Sequence, residues 1–357
     1  MLGEKRMRLR VHVFGPGVGE SIVLQYPDNS GGKYCWGVID CYSERILHFL
    51  RDIHGVKELE FVCWTHPHGD HHDGMPALLN SYRKQINHFW RFGGHNAEML
   101  LAFHKRWSYD TPNITRGMST IKTIFDFALE QKKRDPDSYK MLTDIHQGIF
   151  ELKYNKKCYF RVSTLSPSSS LAEEYTSQVA KCLYDPCSPN WEAFDGAHNS
   201  ISVVLFAEFG KTRLLFGADA EQKVWDEIFN SEERKNLTFS LCSHFVKISH
   251  HGSDRAYHKD SWVEISQEDK PNAVITPFTR SHLPNNKGIG LLKEHCKKIY
   301  LTATRKNYQY YSKAKSTSTK LRLGWKTYKS NTDYCTFEFD EQGNLTDVSL
   351  SDTAVVF

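Results

Sequence analysis

Long apolar runs are missing from this chain: stretches such as Ile201 to Ala207 fall far short of the roughly 20 residues that cross a bilayer. The start, Met1 to Arg10, carries basic residues with no apolar run behind them, so neither a membrane span nor a signal peptide is expected. Paired-thiol motifs are missing too. The nine cysteines are odd in number and contain no CxxC, which argues against a disulfide frame or a thiolate zinc knot and for reduced thiols in a cytoplasmic protein. Internal repeats and low-complexity tracts are absent by inspection. Acidic residues are absent from one long segment: none falls between His295 and Thr332, while ten lysines and arginines do, Lys297 to Lys329. The net charge of +4 is too small to imply a polyanion partner by itself, but this segment concentrates it. Tyr308, Tyr310, Tyr311 and Trp325 interleave with the cations there, the mixture that nucleic-acid surfaces use; a solvated hairpin face is the plainer alternative.

What is present is the composition of a globular protein. With 39% hydrophobic and 25% charged residues over 357 positions, the chain can bury a sizeable core, either as two domains or as one large layered domain with an insertion. Leu9 to Phe14, Ser21 to Tyr26 and Tyr34 to Ile39 read as strands separated by turn residues, and Asp40 stands at the end of the third. Ile46, Leu47, Leu50 and Ile53 keep helical spacing, and Leu59 to Trp64 is a strand-length apolar run leading into a histidine cluster. Residues 96–152 read as helix throughout, with Ile121, Ile124, Phe125, Ala128 and Leu129 forming one apolar stripe. We take this segment as a helical insertion in a domain spanning 1–357. Strands are expected again at Cys158 to Leu165, Ile201 to Phe209, Thr212 to Phe216, Phe245 to Ile248 and Ala273 to Pro277.

The chemistry concentrates in His66-Pro67-His68-Gly69-Asp70-His71, four potential ligands within six residues at a strand end. Imidazole and carboxylate without thiolate suit Zn(II), Mn(II) or Fe(II). Alternate residues His66 and His68 can face one ion while Asp70 and His71 reach a second; His72 and Asp73 only prolong the polar run. One loop supplies an incomplete sphere. His198, Asp219 and the pair His250-His251 each stand at another expected strand boundary and complete a binuclear set, although a lone Asp219 could equally cap the following helix.

Taken in order, Asp40, the HxHxDH run, His198, Asp219 and His251 resemble the five motifs of the metallo-β-lactamase-fold hydrolases. The flanks Gly19-Glu20-Ser21-Ile22, Thr65, Asn199-Ser200, Gly217-Ala218-Asp219-Ala220-Glu221 and His250-His251-Gly252-Ser253 are similar to the soluble domain of the competence DNA-uptake proteins. The resemblance implies an α+β, four-layer αββα sandwich carrying two divalent ions, Zn(II) or Mn(II), along one edge of two sheets. Carried over by position, one ion takes His66, His68 and His198, and the other Asp70, His71 and His251, with Asp219 bridging. Of the histidine pair, His251 is preferred to His250 because it precedes a glycine. Asp40 would hold a ligand histidine in one tautomer. The chain departs from the pattern at Glu20, where Asp is usual, and at Ala218, which splits Gly217 from Asp219. No transmembrane channel accompanies the motifs, so only the hydrolase is carried over.

Two divalent ions about 3.5–4 Å apart would make an attacking hydroxide from water at neutral pH. Asp70, Asp40 and His282 are the candidate catalytic residues, His282 as proton donor to a leaving alkoxide. The expected function is a metal-dependent nuclease or phosphodiesterase acting on DNA or RNA. Two alternatives remain: hydrolysis of a small ester, lactone, β-lactam or cyclic nucleotide, or an effector component whose site is silent until a protein partner binds.

Overall fold

A computed structural model of the chain describes residues 8–28, 32–94, 112–144, 147–154, 157–184, 197–231, 240–303 and 334–357. One eight-stranded sheet contains β1 (Leu9–Phe14), β2 (Ser21–Pro27), β3 (Tyr34–Ile39), β4 (Leu59–Trp64), β5 (Ile86–Phe92), β6 (Tyr139–Leu142), β14 (Tyr334–Phe339) and β15 (Leu345–Ser349). The other contains β7 (Gln147–Tyr154), β8 (Lys157–Thr164), β9 (Leu205–Phe209), β10 (Thr212–Phe216), β11 (Phe245–Lys247), β12 (Asn272–Ile275), β13 (Lys298–Leu301) and β16 (Val355–Val356). Both are mixed. The first runs β15-β14-β1-β2-β3-β4-β5-β6 and is parallel from β3 to β6; the second runs β16-β13-β12-β11-β10-β9-β8-β7 and is parallel from β10 to β13.

Period-two alternation decides which side chains fill each layer. On β4 and β5, Phe61 and Trp90 stack at 4.5 Å between centroids, and both rings meet Phe150 of the facing sheet. Between the sheets Tyr26 lies flat on Phe160 at 3.9 Å, and Phe245 meets Phe337 at 4.9 Å. The alternate residues of β5 turn outward: Phe89 packs on Phe127, and the Arg91 guanidinium lies over Phe125, both rings belonging to the helix Pro112–Arg134. On the opposite outer face, Trp225 of Gln222–Asn230, Trp262 of Lys259–Ile265 and Leu292 of Asn286–Lys293 cover Leu215, Val246 and Ala273. Helices therefore flank both sheets in a four-layer αββα sandwich.

The insertion differs from its sequence reading. Helix accounts for Pro112–Arg134, but β6 and β7 follow it, so the end of the 96–152 segment is strand rather than helix. Each of these strands closes the free edge of a sheet, β6 beside β5 and β7 beside β8, and a partner's backbone overrides weak local periodicity. The reading of Ile201 to Phe209 as strand is also shortened, because His198–Ile201 forms a 3-10 turn before β9.

His12 on β1 supplies a pH handle on stability. Burial, followed by the charges of His54 and Arg10, lowers its imidazole to about 3. The unfolded chain then takes up a proton near pH 6.5 that the folded chain refuses, so stability present at neutral pH is lost as the pH falls from 6.5 towards 3. The loss from this residue should be about 1.4 kcal/mol at pH 5.5. Denaturant unfolding at pH 7.5 and 5.5 should show a smaller drop for His12→Asn than for the parent; equal drops would contradict it.

Candidate metal centre

The carboxyl ends of both sheets meet at one edge, where polar residues follow apolar strands. Asp40 follows β3, Thr65 and His66 follow β4, Asp219 follows β10, the His250-His251 turn follows β11, and Thr276 follows β12. Short backbone bonds fasten these ends together: Cys41 N–H to the His71 carbonyl at 2.8 Å, Glu20 N–H to the Asp70 carbonyl at 3.0 Å, and Val203 N–H to the Thr65 carbonyl at 3.1 Å. Gly19 allows the first of the loops to approach, since a Cβ there would fall 2.3 Å from the Tyr42 ring and 2.7 Å from the Asp70 carbonyl oxygen.

The side chains converge. His66 Nε2 and His68 Nδ1 lie 3.1 Å apart, and the His68 and His198 rings are 5.1 Å apart between centroids. Asp219 Oδ1 is 3.3 Å from His71 Nε2, while its Oδ2 is 3.6 Å from His251 Nε2 and 3.9 Å from His66 Nε2. Asp70 Oδ2 is 3.0 Å from His251 Nε2 and 3.8 Å from His71 Nε2. Two groups of donor atoms result, one of His66, His68 and Asp219 and one of Glu20, His71, Asp219 and His251, the atoms of each within 4.8 Å of one another. Asp219 belongs to both.

The far nitrogens of these rings are taken. His71 Nδ1 donates to Asp40 at 2.7 Å, and Asp40 also accepts from the Thr65 N–H and hydroxyl at 2.8 and 2.6 Å. His251 Nδ1 donates to the Thr276 carbonyl at 2.7 Å, and His198 Nδ1 meets the Tyr175 hydroxyl. The carboxylate and the carbonyl can only accept, so they fix the tautomers of His71 and His251 and leave Nε2 to face the cluster, while the Tyr175 hydroxyl orients the His198 ring. His71 Nε2 and Asp219 Oδ1 are buried and find no hydrogen-bond partner. Buried imidazole nitrogens and carboxylate oxygens that converge without satisfied hydrogen bonds fit a divalent cation, which would take the place of the proton on His71 Nε2.

Electrostatics agree with that fit. Burial pulls the His66 imidazole well below its ordinary value, and His71 and His68 add to the effect. His71 goes the other way: burial opposes its charged form, but Asp219, Glu20, Asp70 and Asp40 outweigh that and raise it. Burial also opposes ionisation of Asp219, yet His251 and His71 hold its carboxyl well below the usual carboxylate range, and His71 and His251 do the same for Asp70. The carboxylates are therefore ionised at neutral pH.

Backbone strain marks the same place. Among the described residues five non-glycines adopt left-handed φ, and Asp40 (57°), Ala218 (43°), His250 (45°) and His251 (53°) all lie in these turns. The fifth, His282 (55°), is exposed on the turn after Thr279–Ser281. That turn reaches the centre through Phe278, whose ring stacks on His251 at 5.1 Å.

The structure thus brings together His66, His68, Asp70, His71, His198, Asp219 and His251, with Asp40 behind His71. His250 does not join them. Its Nδ1 points to Glu221 Oε1 at 3.0 Å, because the left-handed turn swings adjacent rings to different sides, and Glu221 also accepts from Asn199 Nδ2 at 3.4 Å. Lys247 and Tyr175 act as supports across fold contacts that no local motif signals, whereas Glu20 and Glu221 stand inside the motif flanks, which mark their positions and not their partners. The basic segment at 295–332 lies for the most part outside the described residues; Lys297 and Lys298 fall within them.

Tyr175→Phe should weaken cation binding by roughly 10- to 100-fold at the position His198 serves, because the ring loses the hydroxyl that orients it. Competition with a chromophoric chelator measures this, and unchanged affinity would remove His198 from the centre.

No protein-family model matches the chain. It is 24% identical over 218 residues to a Ribonuclease Z from Clostridium botulinum, a match spanning 59% of this chain and 61% of that one. It is 20% identical over 310 residues to a Ribonuclease Z from Clostridium beijerinckii, covering 83% and 89% of the two chains. Among solved structures, the metallo-β-lactamase fold protein YhfI from Bacillus subtilis aligns over 83% of this chain and 95% of its own, at a TM-score of 0.38 and 12% identity.

Proposed function

We propose that this chain is a metal-dependent phosphodiesterase that cleaves nucleic acid at a centre of two divalent ions. The observation that carries the reading is the shared Asp219: its two oxygens face His71 on one side and His66 and His251 on the other, joining both donor groups. His66, His68 and His198 would hold one ion, and Asp70, His71 and His251 the other. Nitrogen and oxygen donors without thiolate favour Zn(II) or Mn(II). Such ions, when bound, lower the pKa of water and neutralise charge on a phosphodiester.

The residues around them have separable tasks. Asp40 keeps the His71 proton on Nδ1, and the Thr276 carbonyl does so for His251. Phe278, half-exposed against His251, offers a ring face beside the centre, and His282 on the same exposed turn is the candidate proton donor. Two relatives named Ribonuclease Z, together with the acid-free basic run in the sequence, direct the substrate towards RNA, with DNA as the competing polymer. The Gly19-Glu20-Ser21 and His250-His251-Gly252-Ser253 flanks resemble those of the competence DNA-uptake proteins at the level of motif alone. No helix among the described residues is long and apolar enough to cross a membrane, and Cys35, Cys41, Cys63, Cys242, Cys296 and Cys335 are free thiols.

Purified protein with Mn(II), Zn(II) or Mg(II) should cleave labelled RNA or DNA, and Asp70→Ala or His68→Ala should abolish it. Cleavage should also weaken steeply with salt, because phosphate contacts release counterions. Failure to cleave either polymer with any of the three ions overturns the assignment.

A further inference from the structure

We infer that Lys247, a residue outside the donor set, is the positioning residue for one half of the centre, acting through Glu20 and the Ala218 carbonyl; this rests on the two-ion reading above. Lys247 ends β11 and its side chain is fully buried. Its ammonium pairs with Glu20 Oε2 and lies 3.3 Å from the Ala218 carbonyl oxygen. Each contact leads to a different donor.

Ala218 precedes Asp219 in a turn strained at φ 43°, and its carbonyl also accepts from the His250 N–H at 2.9 Å. Two donors on one carbonyl hold the turn that aims Asp219. Glu20 leads to the histidines. It accepts from the Thr276 hydroxyl at 2.7 Å, and its oxygens stand 3.9 Å from His71 Nδ1 and 3.7 Å from His251 Nδ1.

Glu20 comes within 4.8 Å of the donor atoms of His71, Asp219 and His251, and so could be mistaken for a ligand itself. It faces the Nδ1 sides, however, while His71 and His251 turn Nε2 towards Asp219 and Asp70. With one oxygen occupied by Lys247 and Thr276, it is a backstop for the two rings. A buried ammonium this close to a cation site is otherwise unfavourable to cation binding, and the pairing with Glu20 cancels it. Glu20 and Lys247 make no direct contact with the donor atoms of His66 and His68, which meet the network only through Asp219 and the His71 ring. Through Asp219 the network reaches both donor groups, but Glu20 stands behind the rings of His71 and His251 only, so the larger effect must fall on the ion those two would hold.

Titration of the metal-free full chain with Zn(II) against a chromophoric chelator, with circular dichroism as the check on folding, tests this. The parent should bind two ions; a parent that binds none overturns the centre itself before any variant is compared. Lys247→Met leaves Glu20 buried without a counterion and is expected to fold poorly, so the double variant Glu20→Gln/Lys247→Met, which removes both charges at similar volume, is the informative protein. It should fold, bind the ion of the His71 and His251 side 10- to 100-fold more weakly, and show a smaller loss at the other. Parental affinity for both ions, or an equal loss at both, overturns the proposal, since a merely structural role would not separate them.

Discussion

Asp219→Asn is expected to lower metal-dependent cleavage by about 10³-fold or more, on the order of 4 kcal/mol in the barrier, and to reduce the bound ions from two to one or none. The substitution preserves shape and removes charge. Asp219 is 2% exposed and is ringed by His71 Nε2 at 3.3 Å, His251 Nε2 at 3.6 Å and His66 Nε2 at 3.9 Å. An amide turned towards that ring would present either a neutral oxygen or an N–H, and neither replaces the charge of the carboxylate that both donor groups share. Elemental analysis beside kcat/KM separates loss of ions from loss of chemistry. A variant that kept both its ions and its rate would leave Asp219 as an ordinary buried acid.

The second large effect is thermal. With each ion at 100 times its dissociation constant, binding to the folded chain alone adds about 2.7 kcal/mol per ion. Two ions should then raise the melting temperature by roughly 7 °C over the chelated protein, taking an unfolding entropy of about 2.1 cal/mol/K per residue. The sign follows from the cluster: Asp40, Asp70, Asp219 and Glu20 each have an oxygen within 3.9 Å of a His71 ring nitrogen, and while Glu20 is paired with Lys247, Asp70 and Asp219 face imidazoles alone. Differential scanning fluorimetry with and without EDTA reads the shift. No shift, or a higher melting temperature in EDTA, would contradict cation binding at this site.

The histidine run was legible because it violates the expectation for a buried strand end: polar donors crowd where apolar residues or a turn would suffice. His198, Asp219 and His251 were legible only in company, each being unremarkable alone. The two strands that close one end of the sandwich were not. Tyr139–Leu142 and Gln147–Tyr154 lack a distinctive period and become strands because β5 and β8 offer free edges. Lys247 and Glu20 were beyond reach for a related reason: they meet across 227 positions of sequence, and nothing local to either residue signals the partner. His250 illustrates the converse. Its type and position suit a ligand, but a left-handed backbone decides the direction of the ring, and residue identity does not encode that direction.

The turns at Asp40, Ala218, His250 and His251 hold side-chain-bearing residues where glycine would be at ease. Glycine cannot serve at Asp40 or His251, whose functional groups are the reason those positions exist, so the fold carries the conformational cost there permanently. Ala218 has no such duty. Ala218→Gly would relieve the local strain, yet it would also slacken the hinge beneath Asp219, setting robustness of the fold against sharpness of the catalyst at a single methyl group.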